Sequence, residues 1–258
     1  MPFDLTKNPN KTLRCSDLKM RFDGVTALDN VTVEFPNSGV VAIIGPNGAG
    51  KTTFINALTG FVELDAGQCY FGDRKITGLA PHKVARLGIV RTFQDLRLMQ
   101  QGSLLDNVLL ARPRQRGERL IAALCGIGLQ QEENRNVKAA IELLQFVGLA
   151  DKEAELASNL SYGQQKLLTL ACCLATEAVV LFLDEPVAGI HPEMTTRILS
   201  LLRRLGQEGR LVVFIEHNID AVRQIADRVI VLDQGRVIAD GIPKEVLDRQ
   251  EIIEAYLG

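Results

Sequence analysis

The stretch VVAIIGPNGAGKTT, residues 40–53, decides how the rest of the chain is read. Its first five residues are a continuous, mostly β-branched apolar run, the pattern of a strand covered on both faces. Gly45, Gly48 and Gly50 end that run, and a helix is expected from about Lys51. Strand, glycine-rich turn and helix, in the form GxxxxGK[ST], let successive backbone N–H groups turn inward around phosphate oxygens at the positive end of a helix. Gly45 to Thr53 match that form. The glycines supply positive φ without a Cβ, and the turn through Asn47, Gly48, Ala49 and Gly50 is the cradle. Lys51 supplies a cation to the β- and γ-phosphates of a nucleoside triphosphate. Thr52 offers a hydroxyl to Mg²⁺, and Thr53 offers one to a more proximal phosphate. A glycine turn that only caps a helix is the plainer alternative, and the flanking strand and helix speak against it.

Working outward, LRCSDLKMRF and TALDNVTVEF alternate with period two on the N-terminal side, joined at Asp23-Gly24, and read as an antiparallel β start. A further β patch lies near Gln68 to Phe71. From about Ser103 to Gly148 apolar residues fall at helical spacing, as in LLDNVLLA and KAAIELLQFVGL, and read as an inserted helical arm. Beyond Ser161, helices alternate with the strands VVLFLD, LVVFIE and VIVLD, which means parallel βα units. The fold class is α/β, a P-loop NTPase (RecA-like) core with an antiparallel β subdomain and an inserted helical subdomain. Residues 1–258 read as one domain, with the core over about 11–95 and 166–258 and the arm over about 96–165.

Bulk properties remove several classes of function. A net charge of −2 from 29 basic and 31 acidic residues gives no global field toward nucleic acid or anionic lipid. The five cysteines form no CxxC pair and do not cluster with the three histidines, which argues against a zinc site or a disulfide framework and for a reducing cytosol. The polar opening MPFDLTKNPNKTL lacks the apolar core of a secretory signal. The longest apolar runs fall short of the roughly 20 residues that span a bilayer, so any membrane role is expected to be peripheral.

A phosphate loop alone fits a kinase, a GTPase or a helicase. The segment Val179 to Glu185 narrows the choice, because an apolar strand there ends in two carboxylates, where open α/β sheets bind ligands. Asp184 suits the Mg²⁺ shell, and Glu185 suits a general base for the attacking water. An acidic strand end that caps the next helix is the bland alternative.

Leu160-Ser161-Tyr162-Gly163-Gln164-Gln165 resembles the LSGGQ signature of ABC ATPases and stands, as in that family, just before the carboxylate strand. The resemblance implies a head-to-tail dimer with a second ATPase subunit, identical or sister. In it Ser161, Gly163 and Gln164 of one copy close over the γ-phosphate held by the other. Tyr162 stands where the general pattern has glycine. By the same resemblance Gln94 corresponds to a glutamine that reaches Mg²⁺ and the attacking water. His217, which alone would read as structural, corresponds to a histidine at the γ-phosphate, and Phe22 to an aromatic stacked on adenine. His191 stands in the loop after the carboxylates where the family has aspartate or asparagine, and an exposed helix N-cap is its other reading.

ARLGIVRTFQDLRL, LLDNVLLA, SYGQQK and the ending EIIEAYLG resemble the ATPase subunits of bacterial importers for branched-chain and other hydrophobic amino acids. That implies two permease subunits, an extracytoplasmic solute-binding protein and a place on the cytoplasmic face of the inner membrane. Urea, short amides and lipid export remain open as alternative cargoes, and no nucleic-acid partner is implied. Arg112, Arg114, Arg116 and Arg119 before LIAALCGIGL fit either a basic element at the membrane or permease, or a solvated loop before a helix packed in the arm.

Overall fold

The computed structural model describes residues 11–22, 24–92, 97–113 and 129–257. Along the chain run β1 (Leu13–Phe22), β2 (Val25–Glu34), β3 (Gly39–Ile44), α1 (Lys51–Thr59), β4 (Ala66–Phe71), β5 (Arg74–Lys75), α2 (Pro81–Ala85) and β6 (Ile89–Arg91). Then come α3 (Leu104–Leu110), α4 (Leu129–Val147) and α5 (Tyr162–Ala175). The last part holds β7 (Val180–Asp184), α6 (Pro192–Gln207), β8 (Leu211–Ile215), α7 (Ile219–Ile225), β9 (Arg228–Asp233), β10 (Arg236–Gly241), α8 (Pro243–Leu247) and α9 (Gln250–Leu257). The chain divides into two compact units, one built on Thr92–Ala178 and the other on the chain up to Arg91 and from Val179 onward.

In the larger unit the described strands form two sheets. One is antiparallel, in the order β2-β1-β4-β5, and the other runs β10-β9-β3-β8-β7-β6. From β9 to β6 the second sheet is parallel, and β10 closes its edge antiparallel to β9. The apolar run of residues 40–44 becomes β3, hydrogen-bonded to β8 on one side and β9 on the other, and no residue from Val40 to Ile44 is more than 1% exposed. A strand with neighbours on both edges and cover on both faces has no position for a polar side chain, which explains the absence of alternation there. Phe35, at the exit of β2, ties the layers together. Its ring stacks on Phe54 of α1 at 6.2 Å and meets Phe182 of β7 edge-on at 6.3 Å. All three are buried, each contributing about 1.5–3 kcal/mol by leaving water.

The expected period of two in β1 holds only in part. Leu13 and Cys15 point inward, then the phase slips and Leu18 and Met20 take over. The slip is a bulge at Asp17, whose φ is 51° and whose N–H donates to Thr32 Oγ1 at 2.9 Å. Cys15 lies opposite Cys69 in β4, both as free thiols, and Cys172 and Cys173 are free as well. Burial pushes the Cys69, Cys172 and Cys173 thiols up to about 12, and that of Cys15 further, so all four are inert at neutral pH.

The smaller unit packs α3, α4 and α5 on one another. Its entry and exit segments meet at the antiparallel Ser103–Leu156 bridge, where Ala157 N–H donates to Gly102 and the first-turn N–H groups of α3, Leu104 and Leu105, donate to Glu155 and Glu153. Asn107 in α3 is buried, yet its amide bonds to Met99 N–H at 2.8 Å and to the Ser103 carbonyl at 2.9 Å, so the polar group is satisfied. Both α3 and α5 begin with reciprocal capping boxes, Ser103 with Asp106 and Ser161 with Gln164. Arg112 bonds within this unit, to Asn136 at 2.9 Å and beside Glu177 at 3.8 Å. Arg114, Arg116, Arg119 and residues 120–128 of LIAALCGIGL lie outside the described residues, as does Asp23 of the expected turn. No described helix is long and apolar enough to cross a membrane.

Candidate functional site

The parallel strands all end on one edge of the sheet, and the site is built there. After β3 the chain turns through Gly45 to Gly50. Gly45 has φ 154°, and a Cβ on it would stand 2.1 Å from the Leu232 carbonyl. A Cβ on Gly50 (φ 95°) would meet the Ala27 carbonyl at 2.4 Å. Both glycines are therefore required by backbone packed against backbone. Gly48 (φ 81°) differs, since nothing lies within 4 Å of its Cβ position and it sits, exposed with Asn47, at the open crown of the turn. The floor is the β9–β10 hairpin. Gln234 and Gly235 both have positive φ, as in a tight two-residue turn, and Gly235 N–H donates to the Ala49 carbonyl at 3.1 Å.

Lys51 opens α1 and is buried at 7% exposure, its ammonium donating to the Gly45 carbonyl at 2.6 Å and the Pro46 carbonyl at 2.9 Å. Burial depresses its pKa, and the carboxylates of Glu185 and Asp184 push back upward. The Thr52 side chain is exposed and that of Thr53 half-buried, each one position along the first turn of α1. A desolvated cation, a turn open at its crown and two carboxylates nearby fit a polyphosphate carrying a divalent cation.

Asp184 ends β7 and is gripped by Arg91, which ends β6, at 2.8 Å with both side chains nearly buried. Arg91 also reaches Asn56 Oδ1 in α1. Nothing local in the sequence marks Arg91; the adjacency of β6 and β7 brings it to Asp184. Glu185 follows with φ 46°, an uncommon conformation for a side-chain-bearing residue, held by its N–H to the Ile215 carbonyl at 3.0 Å. His217 Nε2 stands 3.6 Å from Glu185 Oε1, longer than a hydrogen bond. Thus Lys51, Asp184, Glu185 and His217 meet on one sheet edge of the larger unit.

Phe22 is exposed at the tip of the β1–β2 hairpin opposite Val25, two residues from Ala27, whose carbonyl faces Gly50. His191 is the N-cap of α6, its Nδ1 accepting the Glu193 N–H at 3.4 Å. In the smaller unit Ser161 caps α5. Its Oγ accepts the Gln164 N–H at 3.3 Å, Gln164 Oε1 accepts the Ser161 N–H at 3.0 Å, and Gly163 is buried. Lys166 lies over the exposed Tyr162 ring at 5.2 Å. Gln94 lies outside the described residues.

Residues 28–188, which carry this phosphate loop, both carboxylates and the Ser161 segment, match the family model described as ABC transporter. The chain belongs to the ABC transporter family. It is an ATP-binding, ATP-hydrolysing cassette of that family, and its fold agrees with solved cassettes. It is similar to the ADP conformation of an ATP-binding cassette of an ABC transporter, with TM-score 0.83 and 32% identity, over 97% of this chain and 100% of that one. A nucleotide-free cassette gives TM-score 0.83 and 32% identity over 96% and 100% of the two chains. Among curated relatives, the high-affinity branched-chain amino acid transport ATP-binding protein BraF of Pseudomonas aeruginosa is 38% identical over 95% of this cassette and 97% of its own length. A probable branched-chain amino acid transport ATP-binding protein LivG from Archaeoglobus fulgidus is 38% identical over 96% of each chain. LivG of Escherichia coli is 36% identical over 95% and 97%.

Proposed function

We propose that this cassette powers the import of branched-chain or other hydrophobic amino acids through separate permease subunits, working as a head-to-tail pair with a second ATPase subunit on the cytoplasmic face of the inner membrane. The observation that carries the catalytic half is the convergence of Lys51, Asp184, Glu185 and His217 at the end of one parallel sheet. Support for the cargo is the near full-length likeness to the named amino-acid transport proteins. An extracytoplasmic solute-binding protein completes the complex.

In this reading the Gly45–Thr53 backbone and Lys51 hold the β- and γ-phosphates, with the Lys51 ammonium exchanging its loop carbonyls for phosphate oxygens. Phe22 stacks on adenine. Thr52, Gln94 and Asp184 would hold Mg²⁺, which would supply charge neutralisation to the phosphates. Glu185 orients the attacking water and takes its proton as the water oxygen bonds to the γ-phosphorus and the bond to the bridging oxygen breaks. His217 donates to a γ-phosphate oxygen. Ser161, Gly163 and Gln164 of the second subunit close the site: the Ser161 hydroxyl keeps its proton while accepting from Gln164, so it still donates to an anion. The helical arm, residues of about 96–165, relays closure to the permease.

The test is ATPase activity of the full complex in vesicles. Leucine, isoleucine or valine presented with the solute-binding protein should raise turnover, and Glu185→Gln should bind ATP, hold a stable ATP-dependent dimer and lose ~10²-fold or more in turnover. Wild-type turnover in Glu185→Gln sinks the base assignment. Stimulation by urea or short amides instead of these amino acids sinks the cargo.

A further inference from the structure

Glu216 lies between the last residue of β8 and His217, and it is 3% exposed. Its two oxygens face two different segments. Oε1 accepts the Val187 N–H at 3.0 Å, and Oε2 accepts the His217 N–H at 3.3 Å. Val187 is two residues past Glu185, so one carboxylate clasps the segment that carries Glu185 and the segment that carries His217. Those side chains stand 3.6 Å apart. From this geometry we infer that Glu216 is a positioning residue that sets the spacing of Glu185 and His217. The inference rests on the roles proposed above for that pair.

The chemistry of the position supports the assignment. β8 is buried throughout, and an apolar residue after it would satisfy burial. It would also leave the buried Val187 N–H and the partly buried His217 N–H without these acceptors, and N–H groups removed from water need partners. A carboxylate offers two acceptors at once, and bonds from backbone N–H to an ionised oxygen are of the stronger kind. The clasp is needed because Glu185 sits at φ 46°, so the chain leaves β7 in a conformation that surrounding bonds must hold. Glutamine in this place keeps one acceptor and turns an N–H₂ toward the other N–H. Aspartate keeps the charge on a stem one methylene shorter.

The experiment compares Glu216→Gln, Glu216→Asp and the parent full-length chain for kcat and KM with ATP, fluorescent ATP-analogue binding and thermal melting. Glu216→Gln should stay folded, bind the analogue within about twofold of the parent and lose ~10-fold in kcat at similar KM, the signature of misplaced groups. In a His217→Ala background the same change should cost less than about twofold of the residual rate, because the spacing it sets no longer matters. An unchanged kcat, a loss of equal size in both backgrounds, or a loss that tracks the folded fraction overturns the inference. If Glu216→Gln fails to fold, Glu216→Asp decides: a lower kcat at unchanged KM supports the clasp, and parental kcat refutes it. Glu185→Gln and His217→Ala are run alone as well. Parental rates there take down the site reading, whereas slow rates there with an unaltered Glu216→Gln take down only the clasp.

Discussion

The phosphate loop and the Ser161 segment both stand at the start of a helix, but they are held in different ways. The loop is held by the rest of its unit. Gly45 lies against the Leu232 carbonyl, Gly50 against that of Ala27, and Ala49 is bonded to the β9–β10 turn. Its first helix has no side-chain cap, since Gly50 stands in that position. The Ser161 segment is held by itself, through a reciprocal box between Ser161 and Gln164, with Ser161 and Tyr162 exposed. Shape in the first is a property of tertiary packing, and in the second a property of four consecutive residues. Damage to the first should therefore spread through the fold, while damage to the second should stay local.

Three substitutions probe that contrast. Gly45→Ala carries the largest expected effect, because its Cβ meets a carbonyl oxygen at 2.1 Å that belongs to the sheet. A loss of more than about 4 kcal/mol, the exceptional end for a point change, is expected in denaturant unfolding. A loss under about 1 kcal/mol would show that the loop yields on its own and that the contrast is false. Gly48→Ala is the internal control: with nothing within 4 Å it meets only the cost of left-handed backbone, about 1–2 kcal/mol in the same measurement. A loss as large as that of Gly45→Ala would mean that conformation, not packing, makes the loop rigid. Ser161→Ala removes one N-cap acceptor and should cost about 1 kcal/mol in the same unfolding experiment. It should leave nucleotide binding by the single chain unaltered while lowering turnover of the dimer. Weaker binding of nucleotide by the isolated chain would place the segment's role in its own subunit.

Where the sequence was informative, the information was local. Residues 40–44 announced a doubly covered strand because nothing polar could stand there, Lys51 stood out by its place in the glycine-rich form, Asp184 and Glu185 by closing an apolar strand, and Ser161 by family resemblance. Glu216 and Arg91 did not, since their partners, Val187 and Asp184, are distant in sequence and reach them only through the pairing of β7 with β8 and β6. The strand β10 has a weaker local signal, the turn pair Gln234-Gly235 between alternating residues. The phase slip at Asp17 is visible in the sequence once sought, because Leu18 and Met20 fall out of step with Leu13 and Cys15. Gln94 lies where the structure describes nothing, and its role rests on resemblance alone.

The neighbours of β3 have a further consequence for how the chain comes into being. Both are strands from late in the sequence, β8 and β9, and the bond that closes the loop from below comes from Gly235. During synthesis the nucleotide motif leaves the ribosome long before the segments that give it shape. A nascent chain stalled before Leu211 would display the motif with neither flanking strand in place and a wholly apolar ribbon exposed. Such non-local pairing is slow and prone to aggregation. Occupancy by nucleotide can thus report that translation has passed Gly235 and that the sheet around β3 has closed.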